Sequence, residues 1–313
     1  MKNFSVNKNF ANKNIVGYSL YLAAALLWGF NGTVSKILLD TKIDPARLSQ
    51  LRVTLAWLVL LVVIAIINRK ALSFNSKKEL KLIAMYGVLG VTMTQWLYFV
   101  AIHLLPVGVA LIIEFTSPLM VAVWVKFAWN HHVPRFTWVG LAIAILGLFL
   151  VTQVWQGFTL NPIGLISGFG AAAALSLYFV TGEKILHLEN PRDSLSLTMW
   201  GFFFASLFWA IFKPWWDFPW SYLVGDANLN GFVAPQFVLV IWMVILGTVI
   251  PFWLALAAMQ FITSQQASAT GMTEPIFASI VAWIVMSEQL STWQLIGGAI
   301  TLTGIAVGEN ARR

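Results

Sequence analysis

Residues 87–118 of the chain read GVLGVTMTQWLYFVAIHLLPVGVALIIEFTSP, and residues 244–275 read VILGTVIPFWLALAAMQFITSQQASATGMTEP. A shift of 157 residues lays the first stretch on the second with eight identical residues in 32 positions. A constant shift of this kind indicates that the chain contains two copies of one structural unit. The identical pairs include Trp96 with Trp253, Thr116 with Thr273 and Pro118 with Pro275.

The composition around this repeat is that of a membrane protein. Of the 313 residues, 59% are hydrophobic and 10% are charged, whereas about a quarter of the residues in soluble domains are charged. Residues 136–182 and 227–273 contain no Asp, Glu, Lys or Arg. A membrane-spanning helix needs about 20 apolar residues, so each run is long enough for two helices. The composition excludes a water-soluble globular protein and predicts an all-α integral membrane protein.

Apolar runs bounded by charges or by Pro, Gly and Asn predict ten transmembrane helices, five in each copy. Because five is an odd number, the second copy starts on the opposite side of the membrane, and the two copies form an inverted repeat. The predicted division is a cytoplasmic tail (1–16), a first repeat (17–154), a linker (155–161), a second repeat (162–309) and a basic tail (310–313). The predicted helices are 17–39, 49–67, 82–104, 106–129, 136–154, 162–182, 194–212, 236–259, 264–287 and 292–308.

The positions of the basic residues orient these helices. Lys and Arg accumulate in the cytoplasmic loops of membrane proteins. With the N-terminus inside, 14 of the 19 Lys and Arg residues fall on the cytoplasmic side, and five fall outside or near the outer ends of helices. This distribution predicts a multi-pass protein of the cytoplasmic (inner) cell membrane with both termini in the cytoplasm.

Several kinds of chemistry lack the residues that they need. The chain has no Cys, and it contains no G-x-x-x-x-G-K-[ST], no H-E-x-x-H and no G-x-S-x-G motif. His131 and His132 are adjacent, but further metal ligands are missing nearby. The formal net charge of +7 is spread over loops and tails and forms no basic stripe. We expect no metal, no cofactor, no nucleic-acid partner and no enzymatic activity.

An inverted repeat of membrane helices is typical of secondary transporters. Two similar halves can exchange conformations and so open a site near the membrane midplane to each side in turn. The repeat therefore predicts a transporter that moves a small-molecule substrate and contacts membrane lipids, as a monomer or a homodimer. The alternative is that duplication only built a larger helix bundle.

Two acidic residues are predicted to lie near the middle of the bilayer. Glu114 is far from both ends of the fourth predicted helix, and Glu274 is far from both ends of the ninth. A charged carboxylate is costly at this depth unless it is paired or hydrated. We expect one or both residues to couple transport to a proton, or to bind the amine of a substrate. A structural ion pair or hydrogen bond within the bundle is the alternative.

Pro118 and Pro275 occupy matching places in these same two helices. A proline inside a helix removes one N–H and leaves the carbonyl four residues earlier without its usual donor. The pair predicts kinks beside the substrate site, and passive kinks for packing are the alternative.

Arg52 is either an interfacial anchor or a charge in the cavity. Aromatic and amide residues that could shape a pocket are Trp28, Asn31, Gln95, Tyr98, Tyr178 and Trp253.

Short motifs in both halves resemble the EamA family of the drug/metabolite transporter superfamily, which consists of ten-helix inner-membrane carriers. Residues 113–118, I-E-F-T-S-P, are similar to the E-F-T-G-P stretch of the threonine and homoserine exporter branch, with Ser117 in place of glycine. The other motifs are L-W-G-F-N at 27–31, L-R at 51–52 with Ala56, E-P-I-F at 274–277, S-E-Q-L at 287–290 and G-G at 297–298.

The resemblance implies a central cavity lined mainly by helices one, three, four, six, eight and nine, and export of small metabolites such as amino acids. We therefore predict a secondary exporter of amino acids or similar metabolites that works by alternating access, with proton coupling left open. Import or exchange of another metabolite or lipid-like solute is one alternative, and a membrane-embedded enzyme is another. The substrate-binding residues that the resemblance implies are Trp28, Asn31, Tyr98, Glu114, Thr116, Tyr178, Trp253 and Glu274.

Overall fold

The computed structural model describes residues 3–105, 107–153, 155, 161–229, 232–286 and 291–310, and most of them are helical. The predicted motif at 287–290, residues 156–160 of the predicted linker and residues 311–313 of the basic tail lie outside the described residues. The helices are α1 (Asn3–Asp40), α2 (Pro45–Ile67), α3 (Lys77–Met85), α4 (Met93–Leu104), α5 (Val107–Glu114), α6 (Ser117–Phe127), α7 (Arg135–Val151), α8 (Pro162–Leu186), α9 (Ser194–Phe212), α10 (Gln236–Val244), α11 (Ile250–Ala258), α12 (Ser264–Gly271), α13 (Glu274–Met286) and α14 (Thr292–Asn310).

Seven helical segments among the described residues are long and apolar enough to cross a membrane. Two more, Arg135–Val151 and Thr292–Gly308, are apolar but shorter. The ninth predicted helix is divided between α12 and α13, so neither part has the length of a span. The prediction of a helical membrane protein is confirmed, whereas helix length alone does not establish that there are ten spans.

Three helices begin several residues earlier than the hydropathy pattern predicts. α1 begins at Asn3 instead of Gly17, α2 begins at Pro45 instead of Ser49, and α3 begins at Lys77 instead of Leu82. For α2 the cause is a cap, because Asp44 Oδ1 accepts a hydrogen bond from the backbone nitrogen of Ala46 at 3.2 Å. Pro45 occupies the first turn, where a backbone N–H would have no acceptor within the helix, so its absence in proline costs nothing.

Each half contains one stretch of π-helix at an equivalent place. α3 continues into α4 through Tyr86–Thr92, and α10 continues into α11 through Ile245–Val249. In each stretch a threonine hydroxyl donates to the carbonyl oxygen five residues earlier, at 3.0 Å for Thr92 and 2.8 Å for Thr248. The shift that relates the two halves superposes these stretches, so the π-helix is a property of the repeated unit. Such stretches often mark functional positions in helices.

Each half also contains one helix that is broken near its middle. In the first half, α5 ends at Glu114 and α6 begins at Ser117. In the second half, α12 ends at Gly271 and α13 begins at Glu274. The two-residue gaps, 115–116 and 272–273, coincide under the shift of 157 residues.

The identical Thr and Pro pairs of the repeat explain these breaks. The hydroxyls of Thr116 and Thr273 each donate to the carbonyl three residues earlier, at 2.7 Å and 2.8 Å, which tightens the turn that ends the first helix. Pro118 and Pro275 lie in the first turn of the next helix, where proline is well tolerated. The prolines therefore stand beside full breaks in the helices, which are larger distortions than the expected kinks.

A short hairpin lies between α9 and α10. Its strands β1 (Asp226–Leu229) and β2 (Phe232–Pro235) are antiparallel, and the hydropathy pattern does not predict them. Nearby, Tyr222 Oη donates a hydrogen bond to the carbonyl of Leu38 at 2.8 Å. Burial raises the pKa of Tyr222 to about 12, so the phenol stays protonated and keeps donating. This bond attaches the segment to the end of α1.

Ion pairs hold both ends of α9 to the first half. At one end, Arg192 Nε lies 2.8 Å from Glu79 Oε1, and the two side chains are 4% and 2% exposed. Arg192 also donates to two backbone carbonyls in the connection before α3. At the other end, Lys213 Nζ lies 2.9 Å from Asp44 Oδ2, with side chains 40% and 46% exposed.

α7 and α14, the last helices of the two halves, pack against each other through glycines. A Cβ on Gly140 would lie 2.5 Å from the carbonyl oxygen of Gly304, and a Cβ on Gly147 would lie 2.7 Å from that of Gly297. Small residues permit this close approach of membrane helices. The repeats are therefore joined directly at their ends.

Candidate functional site

A cavity of about 830 Å³, its open mouth included, lies between the two halves. Its wall combines α1, α2, α4 and the break between α5 and α6 with α8, α11 and the break between α12 and α13. The lining residues are Tyr21, Trp28, Asn31, Gly32, Ser35, Arg52, Gly90, Thr94, Gln95, Tyr98, Phe99, Glu114, Phe115, Ser117, Leu175, Tyr178, Phe179, Phe252, Ser268, Gly271 and Glu274.

Two carboxylates stand at the helix breaks. Glu114 is the last residue of α5, and Glu274 is the first residue of α13. Glu114 is 8% exposed, and neither carboxylate forms a hydrogen bond or ion pair with a residue that the structure describes. Because Pro118 and Pro275 have no N–H, the backbone carbonyls of Glu114 and Gly271 also lack their usual helical donor. This concentration of oxygen atoms suits a cation or an ammonium group.

Arg52 is the one cation among the described lining residues. Its side chain is buried and binds the π-helical stretch of the second half, with Nε 2.5 Å from Thr248 Oγ1 and Nη2 2.8 Å from the carbonyl oxygen of Gly247. Its Cζ lies 5.7 Å and 6.0 Å from the ring centres of Phe99 and Phe252. Arg52 lines the same cavity as the two carboxylates. Among the described residues, Arg52 forms no ion pair with Glu114 or Glu274.

Several polar atoms at the cavity wall are buried without a hydrogen-bond partner among the described residues. They belong to the side chains of Asn31, Ser35, Gln95 and Ser117. Buried polar atoms in folded proteins are normally hydrogen-bonded. These side chains can therefore serve as donors and acceptors for a polar ligand or for water.

Aromatic side chains form the apolar part of the wall. Trp28 packs edge-on against Phe252 at 5.2 Å and against Tyr21 at 6.1 Å between ring centres. Tyr178 packs edge-on against Phe252 at 5.7 Å. The edge-to-face geometry is the preferred arrangement of aromatic pairs. The site therefore combines charged groups with a rigid aromatic surface.

Glycines in the two π-helical stretches bring the halves together at this cavity. A Cβ on Gly90 would lie 3.0 Å from Cα of Tyr178 in α8, and a Cβ on Gly247 would overlap Oδ1 of Asn31 in α1. Each glycine thus packs against the first helix of the opposite half. The shift of 157 residues matches Gly90 with Gly247, so these two contacts are equivalent.

Six of the eight predicted substrate-binding residues line this one cavity, and two do not. Thr116 is bonded to its own turn and does not reach the wall. Trp253 is 38% exposed, because consecutive helical residues are about 100° apart and Phe252 takes the inward position. The structure therefore places neither residue in the wall of this cavity. The six residues are Trp28, Asn31, Tyr98, Glu114, Tyr178 and Glu274.

Sequence reasoning left one cavity residue undecided and missed others. Arg52, for which an anchor and a cavity charge were both open, lines the cavity. Phe252 and Ser268 were not expected there. For Ser268 a signal exists, because the small residues of A-S-A-T-G at 267–271 indicate a helix surface that others approach closely. Phe252 carries no comparable signal.

Comparison with known proteins assigns the family. A model described as the EamA-like transporter family matches residues 15–153 and, a second time, residues 162–307. The chain belongs to the EamA-like transporter family. The double match agrees with the internal repeat, and the predicted family is confirmed. The protein is therefore a multi-pass membrane protein of a transporter family.

Individual relatives cover most of the chain. Threonine/homoserine exporter RhtA of Escherichia coli (strain K12) is 28% identical over 77% of this chain and 75% of its own length. The uncharacterized transporter YdfC of Bacillus subtilis (strain 168) is 23% identical over 73% of this chain and 71% of its own. One solved crystal structure matches with a TM-score of 0.73 at 16% identity, covering 97% of this chain and 98% of that one. This last likeness shows the fold alone.

Proposed function

We propose that this EamA family member is a secondary transporter that exports amino acids or similar small metabolites across the cytoplasmic membrane. One observation carries the proposal: two repeat-related helix breaks face a single cavity, and a carboxylate without an ion-pair partner among the described residues stands at each. The similarity to threonine/homoserine exporters supports amino acids as the substrate class.

Glu114 and Glu274 bind the ammonium group of the substrate. An ammonium group needs three acceptors, and the carboxylates together with the carbonyls at the ends of α5 and α12 can supply them. The C-terminal end of a helix also carries a partial negative charge that favours a cation. The remaining substrate atoms contact Trp28, Tyr98 and Tyr178, while Asn31 supplies a polar contact.

Transport requires the two halves to exchange conformations, so that the cavity opens to one side of the membrane and then to the other. We infer ten membrane crossings in two inverted groups of five, with Glu114 and Glu274 near the midplane. The breaks beside Pro118 and Pro275 and the two π-helical stretches interrupt helical hydrogen bonding, and they are where the helices bend as the cavity opens to one side and closes to the other. Both termini lie in the cytoplasm, and the protein works in the lipid bilayer as a monomer or a homodimer.

Proton coupling is a second role of the acidic pair. A carboxylate binds either a proton or an ammonium group, so a substrate that arrives displaces a proton, and a proton that arrives displaces the substrate. If the two exchanges occur on opposite sides of the membrane, an inward proton gradient drives outward movement of the substrate. Glu114 and Glu274 are the candidates for this exchange because they are the acidic residues of the cavity wall.

Efflux from proteoliposomes tests the proposal. Purified protein is reconstituted into vesicles preloaded with radiolabelled L-threonine, and efflux is measured with and without an imposed pH gradient. We expect Glu114→Gln and Glu274→Gln to slow efflux at least about tenfold, since each removes one charge-assisted contact. Glu189→Gln is the matched control, because Glu189 is exposed in the connection between α8 and α9, and it should keep the wild-type rate.

The outcomes separate substrate class from coupling. Efflux that is insensitive to pH and lost in both cavity variants would retain the ammonium role and reject proton coupling. If both cavity variants transported like wild type, the proposed role of the carboxylates would be wrong. Absence of efflux for all amino acids from well-folded protein would reject the proposed substrate class and favour another metabolite or a lipid-like solute.

A further inference from the structure

We propose that Arg52 binds the carboxylate of the substrate, so that the cavity recognises the two charges of an α-amino acid at opposite ends. This inference rests on the proposed function and adds the second half of the recognition site. It starts from the charges of the cavity wall, where Arg52 is the one cation among the described lining residues and two acidic side chains line the same cavity.

The guanidinium group is buried without a charged partner. Arg52 is 5% exposed, and the acceptors that it contacts, the hydroxyl of Thr248 and the carbonyl of Gly247, are both neutral. Buried charges in proteins are normally paired, and those inside membrane proteins usually mark a functional path. A carboxylate brought by the substrate would neutralise Arg52.

The geometry leaves one edge of the guanidinium group for a ligand. Nε and Nη2 are directed to the π-helical stretch of the second half, whereas Nη1 donates no hydrogen bond to a residue that the structure describes. The Cζ atom of Arg52 lies 5.7 Å and 6.0 Å from the ring centres of Phe99 and Phe252, and these contacts hold the group in place and limit its contact with water. Arginine N–H groups in a fixed orientation are well suited to a carboxylate.

Arg52 also links substrate to conformation. The residue belongs to α2 in the first half, and its bonds to Thr248 and Gly247 attach it to the π-helical stretch of the second half. A carboxylate that binds Nη1 therefore contacts a side chain that already joins both halves. An amino acid would bind Arg52 through its carboxylate and would therefore contact a side chain that joins both halves. An amine without a carboxylate would bind only Glu114 and Glu274.

The test compares L-threonine with L-threonine methyl ester, which keeps the ammonium group and removes the charge of the carboxylate. Both compete with radiolabelled L-threonine for binding to the purified full-length protein, and the ratio of their dissociation constants measures carboxylate recognition. We expect the wild type to prefer threonine by about tenfold to a hundredfold, the range for one charge-assisted hydrogen bond. In Arg52→Gln the ratio should fall to about one.

Controls separate recognition from folding. Arg47→Gln changes another buried arginine of α2, which bonds Gln50 and the carbonyl of Pro214 away from the cavity, and it should keep the wild-type ratio. Arg52→Lys keeps the charge and loses the planar fork, so an intermediate ratio is expected. If Arg52→Gln does not fold, as judged by gel filtration, Arg52→Lys and the wild-type ratio still decide the question.

Two results would overturn the inference. If the wild-type protein binds the methyl ester as tightly as threonine, the cavity does not recognise the carboxylate. If Arg52→Gln transports threonine and retains the full preference, the carboxylate is bound elsewhere, for example at the start of α6 near Ser117, and the proposed function stands without Arg52. A wild type that neither binds nor transports any amino acid would instead remove the proposed function and this inference together.

Discussion

At Asn31 the two halves are in close contact. Its side-chain oxygen lies 2.0 Å from the position that a Cβ on Gly247 would take, and it has no hydrogen-bond partner among the described residues. A glycine is required there because any larger residue would push Asn31 out of the cavity wall. The residue that shapes the cavity and the residue that permits the contact belong to different halves.

Gly247→Ala should therefore lower both stability and transport. Overpacking a tightly packed interior costs about 1–3 kcal/mol, which would appear as a lower free energy of unfolding in a detergent titration followed by tryptophan fluorescence. Gly298→Ala is the matched control, because the nearest atom to a Cβ there, Cγ2 of Ile276, is 3.9 Å away. Equal unfolding free energies for the two variants would contradict the importance of this contact.

The residues of the cavity differ in how well the sequence alone predicts their position. Glu114 and Glu274 were identifiable because charge inside an apolar run is costly and therefore informative. Trp253 was predicted at the cavity, whereas the structure does not place it in the wall. Its identity with Trp96 reflects the repeat and contains no information about helix rotation. Whether Phe252 or Trp253 faces inward is decided by packing against α1 and α9, which no local pattern encodes.

Among the elements, α9 shows how buried and exposed ion pairs differ in value. Arg192 and Glu79 form a nearly dry pair at one end, and Lys213 and Asp44 form a half-exposed pair at the other. Loss of one partner from a buried pair leaves an uncompensated charge, at a cost of about 3–5 kcal/mol. An exposed pair contributes about 0–1 kcal/mol, because water screens it.

We expect Arg192→Ala to lower the free energy of unfolding by several-fold more than Lys213→Ala. The two variants remove a cation from the two ends of one helix, so each is the control for the other. Detergent titration of both proteins under one set of conditions provides the comparison, and Glu79→Gln checks that charge is responsible. Similar losses for Arg192→Ala and Lys213→Ala would mean that the buried pair is not a principal attachment of α9.

The helices themselves were predictable, while their internal irregularities were predictable only in part. Apolar runs indicated where helices lie because lipid requires long apolar segments. Pro118 and Pro275 indicated the two interruptions because a proline has no N–H. The π-helical stretches at Tyr86–Thr92 and Ile245–Val249 left no such mark. Gly90 and Gly247 in these stretches approach the opposite half closely, and contacts between distant parts of the chain are not encoded by a local pattern.

For the whole molecule, the proposed inverted repeat requires that equivalent connections of the two halves lie on opposite sides of the membrane. The connection between α2 and α3 in the first half is equivalent to that between α9 and α10 in the second. The connection between α1 and α2 is likewise equivalent to that between α8 and α9. A parallel duplication would put each pair on one side, so these two pairs of connections distinguish the two architectures.

Labelling of single introduced cysteines tests on which side of the membrane each connection lies. The chain has no Cys of its own, so each variant contains one reactive thiol. Asp40, Lys78, Glu189 and Asp217 are exposed positions in or beside the four connections. In intact cells, a membrane-impermeant maleimide should label Asp40→Cys and Asp217→Cys and leave Lys78→Cys and Glu189→Cys unlabelled, since the lysine-rich connection at 69–81 is expected to be cytoplasmic. All four should react after lysis, which shows that every position is chemically accessible. If Lys78→Cys and Asp217→Cys were labelled alike in intact cells, the halves would share one orientation, and alternating access through an inverted repeat would have to be abandoned for this protein.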